Sequence, residues 1–397
     1  MNELFEYSDN QIEQIPVDFV RYLYNSVHWN SRLIGIKGGR GTGKTTLLLQ
    51  YLRESGLHAP EAVYLSLDDL YFTTHTVTDT VAAIYKRGGK VVVLDEVHKY
   101  AGWAREVKNL YDRYSDLQII FTGSSIIDIA KEEADLSRRA VLYELHGLSY
   151  REYLHLAHDI RFDSIPLQGM LNNGRELRSA FPKEFRPLKY FKAYLEHGYY
   201  PFFTEDPDTY AKRLQQVVRM TVEFDMAELK GFDVRNAGKL LQLLGIAAQS
   251  VPFKPNISKL ADKTGIHRNS LVNYLHYLQR ARLIHLLYPA GKSTSTLQKP
   301  EKLFLNNPNL ATVLSSAKPN TGNLRETFMI SQLRVKHRVH HPASGDFLVD
   351  EKYTLEVGGP SKTGKQIAGI ESAFLVADDL ELPTAGQIPL WLFGFLY

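Results

Sequence analysis

The chain has 397 residues, of which 44% are hydrophobic and 23% charged, with a formal net charge of +3; this is ordinary for globular protein and long enough for two or three domains. It contains no cysteine, which excludes disulfides and zinc–thiolate sites and suits a reducing cytoplasm. No run of about 18 apolar residues occurs, which argues against a membrane-spanning helix, and the acidic, polar start MNELFEYSDNQIEQIP lacks the basic-then-apolar pattern of a secretory leader.

In chain order, the first strong signal is RLIGIKGGRGTGKTTLLLQYL. The pattern predicts an apolar strand over Leu33–Ile36, a glycine-rich loop, and a helix over Thr45–Leu52. Gly38, Gly43, Lys44 and Thr45 satisfy G-x-x-x-x-G-K-[ST]. Gly38, Gly39, Arg40, Gly41, Thr42, Gly43, Lys44, Thr45 and Thr46 are therefore the expected cradle for nucleotide phosphates. Glycines let the backbone curl until several N–H groups face the β-phosphate. Lys44 brings positive charge to the β- and γ-phosphates, and the Thr45 hydroxyl is suited to Mg²⁺. The helix that follows aims its positive end at the same phosphates. ATP and Mg²⁺ are the implied cofactors.

The segment AVYLSLDDL, Ala62 to Leu70, supplies a second strand, so the sheet grows by βαβ steps. In KVVVLDEVHKY, Val91–Leu94 is a continuous apolar strand, as in a parallel sheet covered on both faces. Asp95 at its carboxyl end suits the Mg²⁺ water shell, and Glu96 suits orientation and deprotonation of an attacking water. A further strand, LQIIFTGSSIIDIA, ends in Thr122, Gly123, Ser124 and Ser125, at the edge where ligands bind in open α/β sheets.

With these motifs in place the sequence resembles the AAA-type ATPases. The resemblance implies a polar sensor residue at the end of this strand, Ser124 with Thr122 as the alternative. It also implies an arginine, in the interval held by Arg138 and Arg139, that reaches a neighbouring subunit's ATP. The order P-loop, LDEVHK, TGSS, LSRR…ELHGLSYREYL and YLEHGYYPF looks like the prokaryotic AAA-family (AAA+) ATPases with an appended DUF4143-type C-terminal region, and it covers nearly the whole chain. Where that family usually has Ser-Gly-Arg, this chain has Ser137–Arg138–Arg139, which leaves the identity of the arginine open. An arginine acting in trans implies a homo-oligomer, a hexamer being one form open to it.

From Ser149 to Met226 apolar residues recur at helical spacing, and we read this stretch as a helical lid. RNAGKLLQLLGIAAQS continues as an amphipathic helix with Leu240, Leu241, Leu243 and Leu244 inward. Next, Ile257–Ala261 predicts a short helix, Thr264–Ile266 a turn, and His267–Arg280 a second helix. The alternation in ARLIHLLYPAG…EKLFLNN predicts a β-hairpin. This pattern looks like a winged helix, with His267, Arg268, Asn269, Ser270 and Asn273 at the exposed start of its recognition helix. Lys254 to Lys302 carries nine basic residues against Asp262 and Glu301. A block of that kind in a near-neutral chain suggests a face for a polyanion. Lys263, His267, Arg268, Asn269, Asn273 and Lys292 are the candidate DNA contacts.

Near the end, YTLEVGGPSKTGKQI places Gly359, Gly364 and Lys365 at P-loop spacing. Gln366 stands where Ser or Thr would meet Mg²⁺, and the next strand, AFLVADD, follows too soon for the acidic strand of such a fold. A restriction-nuclease-like unit fits better: a helix with Glu326, strands with Asp346 and Glu356, then a helix after Lys365. Active members of that class resemble D…E-x-K, with two carboxylates for Mg²⁺ and a lysine. The lysine position is Gly358, and the reach of Lys362 or Lys365 has no support in the sequence. The expectation is a fold retained for packing or DNA contact with cleavage lost.

The fold class is thus α/β: a P-loop AAA+ parallel-sheet core with its N-terminal helix over 1–150, a helical lid over 151–235, a winged-helix-like basic domain over 236–302, and a DUF4143-type, restriction-endonuclease-like unit over 303–397. The expected function is Mg²⁺-dependent ATP hydrolysis by a cytoplasmic oligomer coupled to DNA binding or remodelling, with no membrane partner. The alternatives are an ATP-switched winged-helix regulator and an ATP-gated nuclease.

Overall fold

The computed structural model describes residues 1–124, 136, 138–172, 177, 179–229, 231–249, 255–291, 300–315, 317–384 and 386–397. The chain divides into two compact units, Met1–His146 and Gly147–Tyr397.

In the first unit, strands β1 (Leu33–Gly38), β2 (Ala62–Ser66), β3 (Val91–Asp95), β4 (Gln118–Ser124) and β5 (Val141–Leu145) form one sheet in the order β2-β3-β4-β1-β5. Every pairing is parallel. Alternate residues feed two cores. Leu33, Val63, Leu65, Val92, Leu94, Ile119 and Phe121 pack on one face; Ile34, Ile36, Tyr64, Val91, Val93 and Ile120 pack on the other. Both faces are therefore dry, which is why these strands read as unbroken apolar runs. Helix α1 (Asn2–Gln14) places Ile12 in the second core, and α2 (Lys44–Ser55) adds Leu47, Leu48, Leu49 and Leu52. Helices α3 (Val77–Tyr85) and α4 (Trp103–Arg113) cover the first face. At Gly35 a Cβ would meet Leu142 and Phe121 at 2.5 and 2.6 Å, so the P-loop strand can sit between β4 and β5 only with a glycine there.

The second unit starts with helices α5 (Tyr150–His158), α6 (Leu167–Asn172), α7 (Pro187–His197), α8 (Tyr210–Glu223) and α9 (Ala237–Gln249). A helix–turn–helix follows: α10 (Ile257–Thr264), a left-handed Gly265, and α11 (Arg268–Arg280). An antiparallel pair, β6 (Ile284–Leu287) and β7 (Lys302–Leu305), completes that part. Helices α12 (Pro308–Leu314) and α13 (Thr321–Leu333) lead into a second sheet. Its strands β8 (Val339–His340), β9 (Phe347–Val349), β10 (Tyr353–Gly358), β11 (Ala373–Ala377) and β12 (Gln387–Pro389) run in the order β12-β11-β10-β9-β8.

The stretch read as a lid ending at 235 is built into this unit. Tyr150 meets Tyr194 and Phe395 with ring centroids 5.4 and 6.0 Å away, and Phe328 of α13 closes on Phe191 at 4.9 Å. The Tyr194 hydroxyl donates to Leu148 O at 2.8 Å and accepts from Gln332 Nε2 at 3.0 Å. Asn309 Nδ2 donates to Tyr194 O, and Ser149 Oγ to Tyr397 O. Amphipathic periodicity reports that a helix buries one face but not what covers it. Here the cover is α12, α13 and the C-terminal 3₁₀ turn Leu390–Phe395, and the two units divide at His146–Gly147. The helix expected after Lys365 is only a 3₁₀ turn, Lys365–Ile367, entered through left-handed Gly364.

Removing the Phe328 ring, which is fully buried, should cost about 3–5 kcal/mol. Because one aromatic core joins α5, α7 and α13, fluorescence and helix circular dichroism of the second unit should shift together in denaturant for Phe328→Ala. Separate helical and sheet transitions would show an independent lid.

Candidate functional site

The P-loop lies where β1 leaves the sheet. Its turn needs glycine at two left-handed positions, Gly41 (φ 79°) and Gly43 (φ 90°). At Gly38 a Cβ would lie 2.4 Å from Leu145 O. Thr42 closes the loop by donating its hydroxyl to Gly39 O at 2.9 Å. The Lys44 ammonium folds back onto Gly38 O and Gly39 O at 3.1 and 3.2 Å, inside the loop it would share with phosphate oxygens. Gly39, Arg40, Thr45 and Thr46 are half-buried around it. Buried Arg21, which the sequence reading missed, donates to Thr42 O at 2.5 Å and to His146 O at 2.7 Å, tying the loop to the end of the unit.

Asp95, at the end of β3, is almost fully buried. Its carboxylate accepts from Thr45 Oγ1 (2.6 Å), Tyr64 Oη (2.9 Å) and Thr122 Oγ1. Thr45 and Asp95 thus present two hard oxygen donors side by side, a set that fits Mg²⁺ with phosphate and water oxygens in its other positions. Glu96 adopts a left-handed backbone (φ 52°) and is clamped by its N–H, which donates to Asp95 Oδ1 and Thr122 Oγ1 at 3.1 Å each. Of the two sensor candidates, Thr122 touches both acidic residues, whereas Ser124 stands opposite Gly38 in the β1–β4 register. Burial of Tyr64, with Asp95 beside it, pushes its phenol well above the ordinary range, so it serves Asp95 as a fixed donor.

The Glu96 carboxylate approaches His98 Nε2 at 3.3 Å, and the His98 side chain is 3% exposed. Burial, then the charges of Lys99, Lys44 and Arg40, pull its pKa down to about 3 despite Asp95. His98 is therefore neutral, and its Nε2 stands beside the Glu96 carboxylate. Arg139 forms a bidentate pair with Asp112 of its own unit, at 2.9 and 3.0 Å, while Arg138 is exposed.

In the second unit, Lys263, His267, Arg268, Asn269 and Asn273 are all exposed at the end of α10 and the start of α11. Lys292 lies outside the described residues. Lys302, counted with the basic block, faces inward: its Nζ donates to Glu326 Oε2 at 2.9 Å and Asp346 Oδ1 at 3.1 Å. Burial alone would lower the Lys302 pKa, but the two carboxylates raise it, so the ammonium keeps its proton. Burial and Asp346 push Glu326 up, against the pull of Lys302. Asp346 Oδ2 accepts from the Val357 N–H at 2.9 Å. Glu356 is fully buried and pairs by charge with Lys362 Nζ at 2.5 Å, although neither of its oxygens gains an aligned hydrogen bond. A Cβ at Gly358 would come within 2.7–2.8 Å of the Lys362 stem. The glycine standing at the E-x-K lysine position is what lets Lys362 cross over and reach Glu356. Among the described residues, no group of three or more His, Asp or Glu side chains is arranged to hold a metal.

Residues 30–154 match a family model described as "AAA domain", and residues 188–321 match one described as "Domain of unknown function (DUF8612)". The second description differs from the DUF4143-type region that the sequence resembles. The chain is 28% identical over 296 residues to the uncharacterized protein MJ1637 of Methanocaldococcus jannaschii; the match takes in 71% of this chain and spans 62% of that protein. Solved structures with weak likeness include AMPPCP-bound DnaA from Aquifex aeolicus (TM-score 0.28, 14% identity, 65% of this chain and 84% of that one). Another is the S. cerevisiae Hsp104–ADP complex (TM-score 0.33, 14% identity, 69% and 41%). The segment that matches the AAA domain takes in most of the first unit, including its five-stranded parallel sheet and the P-loop. No helix among the described residues is long and apolar enough to cross a membrane.

A depressed histidine pKa weakens the folded state toward acid. Between pH 6.5 and about 3 the unfolded chain takes a proton that folded His98 refuses, so stability falls by up to about 1.4 kcal/mol per pH unit on this account. His98→Asn, which keeps a donor for Glu96, should show a shallower loss between about pH 7 and about pH 5 in denaturant titrations. An identical slope would mean that His98 titrates normally.

Proposed function

We propose that the first unit binds ATP with Mg²⁺ and hydrolyses it, and that the protein works as a homo-oligomer associated with DNA. The observation that carries this is the meeting of Thr45 with Asp95 at 2.6 Å, beside Lys44 and Glu96. In this reading the P-loop amides and Lys44 hold the phosphates, and Thr45 and Asp95 hold Mg²⁺, which when bound neutralises developing phosphate charge. Glu96, aimed by His98, takes the proton of the attacking water. Thr122 and Ser124 fix the neighbouring polar edge. For a residue reaching another subunit's nucleotide, Arg138 is the better candidate, because Arg139 is engaged by Asp112. The exposed polar start of α11, behind a helix–turn–helix and its strand pair, supports the DNA part. A cytoplasmic setting accords with the absence of cysteine.

Lys44→Ala should lose nucleotide binding. Glu96→Gln should bind ATP and stall, with turnover lower by about 10²–10⁴-fold. Arg138→Ala should lower turnover while leaving nucleotide affinity nearly intact, and mixing it with Lys44→Ala protein should restore some activity. Full turnover in Glu96→Gln would remove Glu96 from the mechanism, and no rescue in mixed oligomers would remove the shared site.

A nuclease reading of the second unit draws support from Lys362, whose ammonium reaches Glu356. Against it stands Lys302, which already places a cation between Glu326 and Asp346. We therefore retain the reading of a nuclease-like fold with cleavage lost. Lys302→Met should destabilise the unit by up to about 3–5 kcal/mol, because two half-buried carboxylates lose their partner. Wild-type protein incubated with linear, circular and branched DNA in Mg²⁺ or Mn²⁺, with and without ATP, should leave it intact. Cleavage that disappears on Asp346→Ala or Glu356→Ala would establish the ATP-gated nuclease instead.

A further inference from the structure

The second unit holds a cationic site that lies apart from the recognition-helix residues. Arg334, the residue that ends α13, is half-buried, with Nη2 donating to Leu286 O at 2.7 Å and Nη1 at 3.4 Å from His285 Nδ1. Neither partner carries a negative charge to offset it. Burial, and then the like charge of Arg282, pull the Arg334 pKa down to about 10. Arg282 itself sits in a left-handed backbone conformation (φ 57°), between α11 and β6. Sparsely populated conformations of that kind persist where the surroundings enforce them. Lys336 shows the same pattern: burial lowers its pKa, and Arg151 lowers it further. Arg334 is eased in part by Leu286 O and by its place at the C-terminal end of α13, but a desolvated cation beside another cation gains further from an anion.

Two further observations point to a ligand. The Tyr288 hydroxyl is buried, has no hydrogen-bond partner among the described residues, and lies close enough to Arg334 for their charges to interact. A buried hydroxyl left unsatisfied costs about 1–3 kcal/mol, which an incoming acceptor oxygen would recover. In addition, Arg334, Lys336, His337, Arg338, Asp350 and Glu351 line an open cavity of about 590 Å³. Of its two carboxylates, Asp350 is already held by His337 Nδ1 at 2.7 Å and by the Arg338 N–H at 2.9 Å. That leaves Arg334, Lys336 and Arg338 facing the opening against Glu351.

We propose that this cavity is the core of a phosphate-backbone site for a nucleic-acid strand, with Arg334, Lys336 and Arg338 contacting phosphates and the Tyr288 hydroxyl, which lies outside the cavity lining, donating to a phosphate at its margin. The charge-assisted bonds of arginine to phosphate oxygens suit the donors present. Of the residues that line the cavity only His337 carries a ring, and Asp350 holds its Nδ1, so the strand is held chiefly by its charge. Arg282 and Tyr288 flank β6, the first strand of the pair that follows the helix–turn–helix, so this site extends the proposed DNA contact surface along the same segment. It rests on the DNA-association reading above.

The test uses the full chain and fluorescence anisotropy with labelled single-stranded and duplex DNA across a salt series. Lys336→Gln/Arg338→Gln alters two exposed side chains and should weaken binding about tenfold, with the log–log salt slope for duplex flattening by about 1.8. Tyr288→Phe should weaken binding several-fold while its thermal midpoint stays level or rises, because the free protein loses only an unsatisfied group. A fallen midpoint for Tyr288→Phe would give the hydroxyl a structural role and overturn its part in the site. If wild type binds DNA and only Lys263→Gln/Arg268→Gln weakens it, this site falls while the DNA reading stands. If wild type binds no DNA, both fall, and stabilisation by inorganic phosphate alone would then mark a small-anion site in place of the one proposed.

Discussion

The first unit is organised around one carboxylate. Asp95 is buried at the end of a central strand, and a buried charge survives only if its oxygens are satisfied. Thr45 brings the first turn of the P-loop helix to it, Tyr64 brings the adjacent strand, and Thr122 brings the next. The N–H of Glu96 closes the set. Four segments far apart in sequence are thereby fixed at one sheet edge, and an incoming metal ion would find its donors already gathered. For the ATPase proposed above, catalytic power would come from this geometry, set before substrate arrives.

The second unit solves a different problem. Its sheet is short-stranded and mixed, and aromatic rings from helices more than a hundred residues earlier pack on α13 and the C-terminal 3₁₀ turn. Tyr194 shows how tightly this is specified: a fully buried ring whose hydroxyl bonds to Leu148 O and to Gln332, and whose carbonyl accepts from Asn309. The unit also holds ionic pairs, in which Lys302 answers half-buried Glu326 and Asp346 and Lys362 answers buried Glu356. These pairs hold strands and helix in register, and breaking any one leaves an uncompensated charge.

Much of the nucleotide site was legible in the sequence because its chemistry is tied to local spacing. A loop that curls around phosphate must have glycines at fixed offsets from Lys44, and a strand buried on both faces must be apolar up to Asp95. Arg21, Tyr64 and His98 were not legible, since each acts through burial and through partners that no spacing rule names. Lys302 shows the opposite failure. Counting charge along the chain placed it on a polyanion face, although its partners lie 24 and 44 residues away in sequence and draw it inward. Gly358 looked like the loss of a lysine, because linear spacing cannot see a side chain crossing over a neighbouring turn. What covers the helices of the second unit was not legible for a related reason: the periodicity of α5 and α7 is equally compatible with any apolar cover.

If Glu96 is the proposed general base, its left-handed backbone sets function and folding against each other at a single Cα. A side chain larger than glycine is uncomfortable there, and a conformation of this kind typically stores about 1–3 kcal/mol. Glycine at this position would relax the backbone and delete the carboxylate in the same stroke. A population of variants sorted only by resistance to heat would therefore drift toward an inert chain, and the glutamate would be lost first where the protein is asked merely to last.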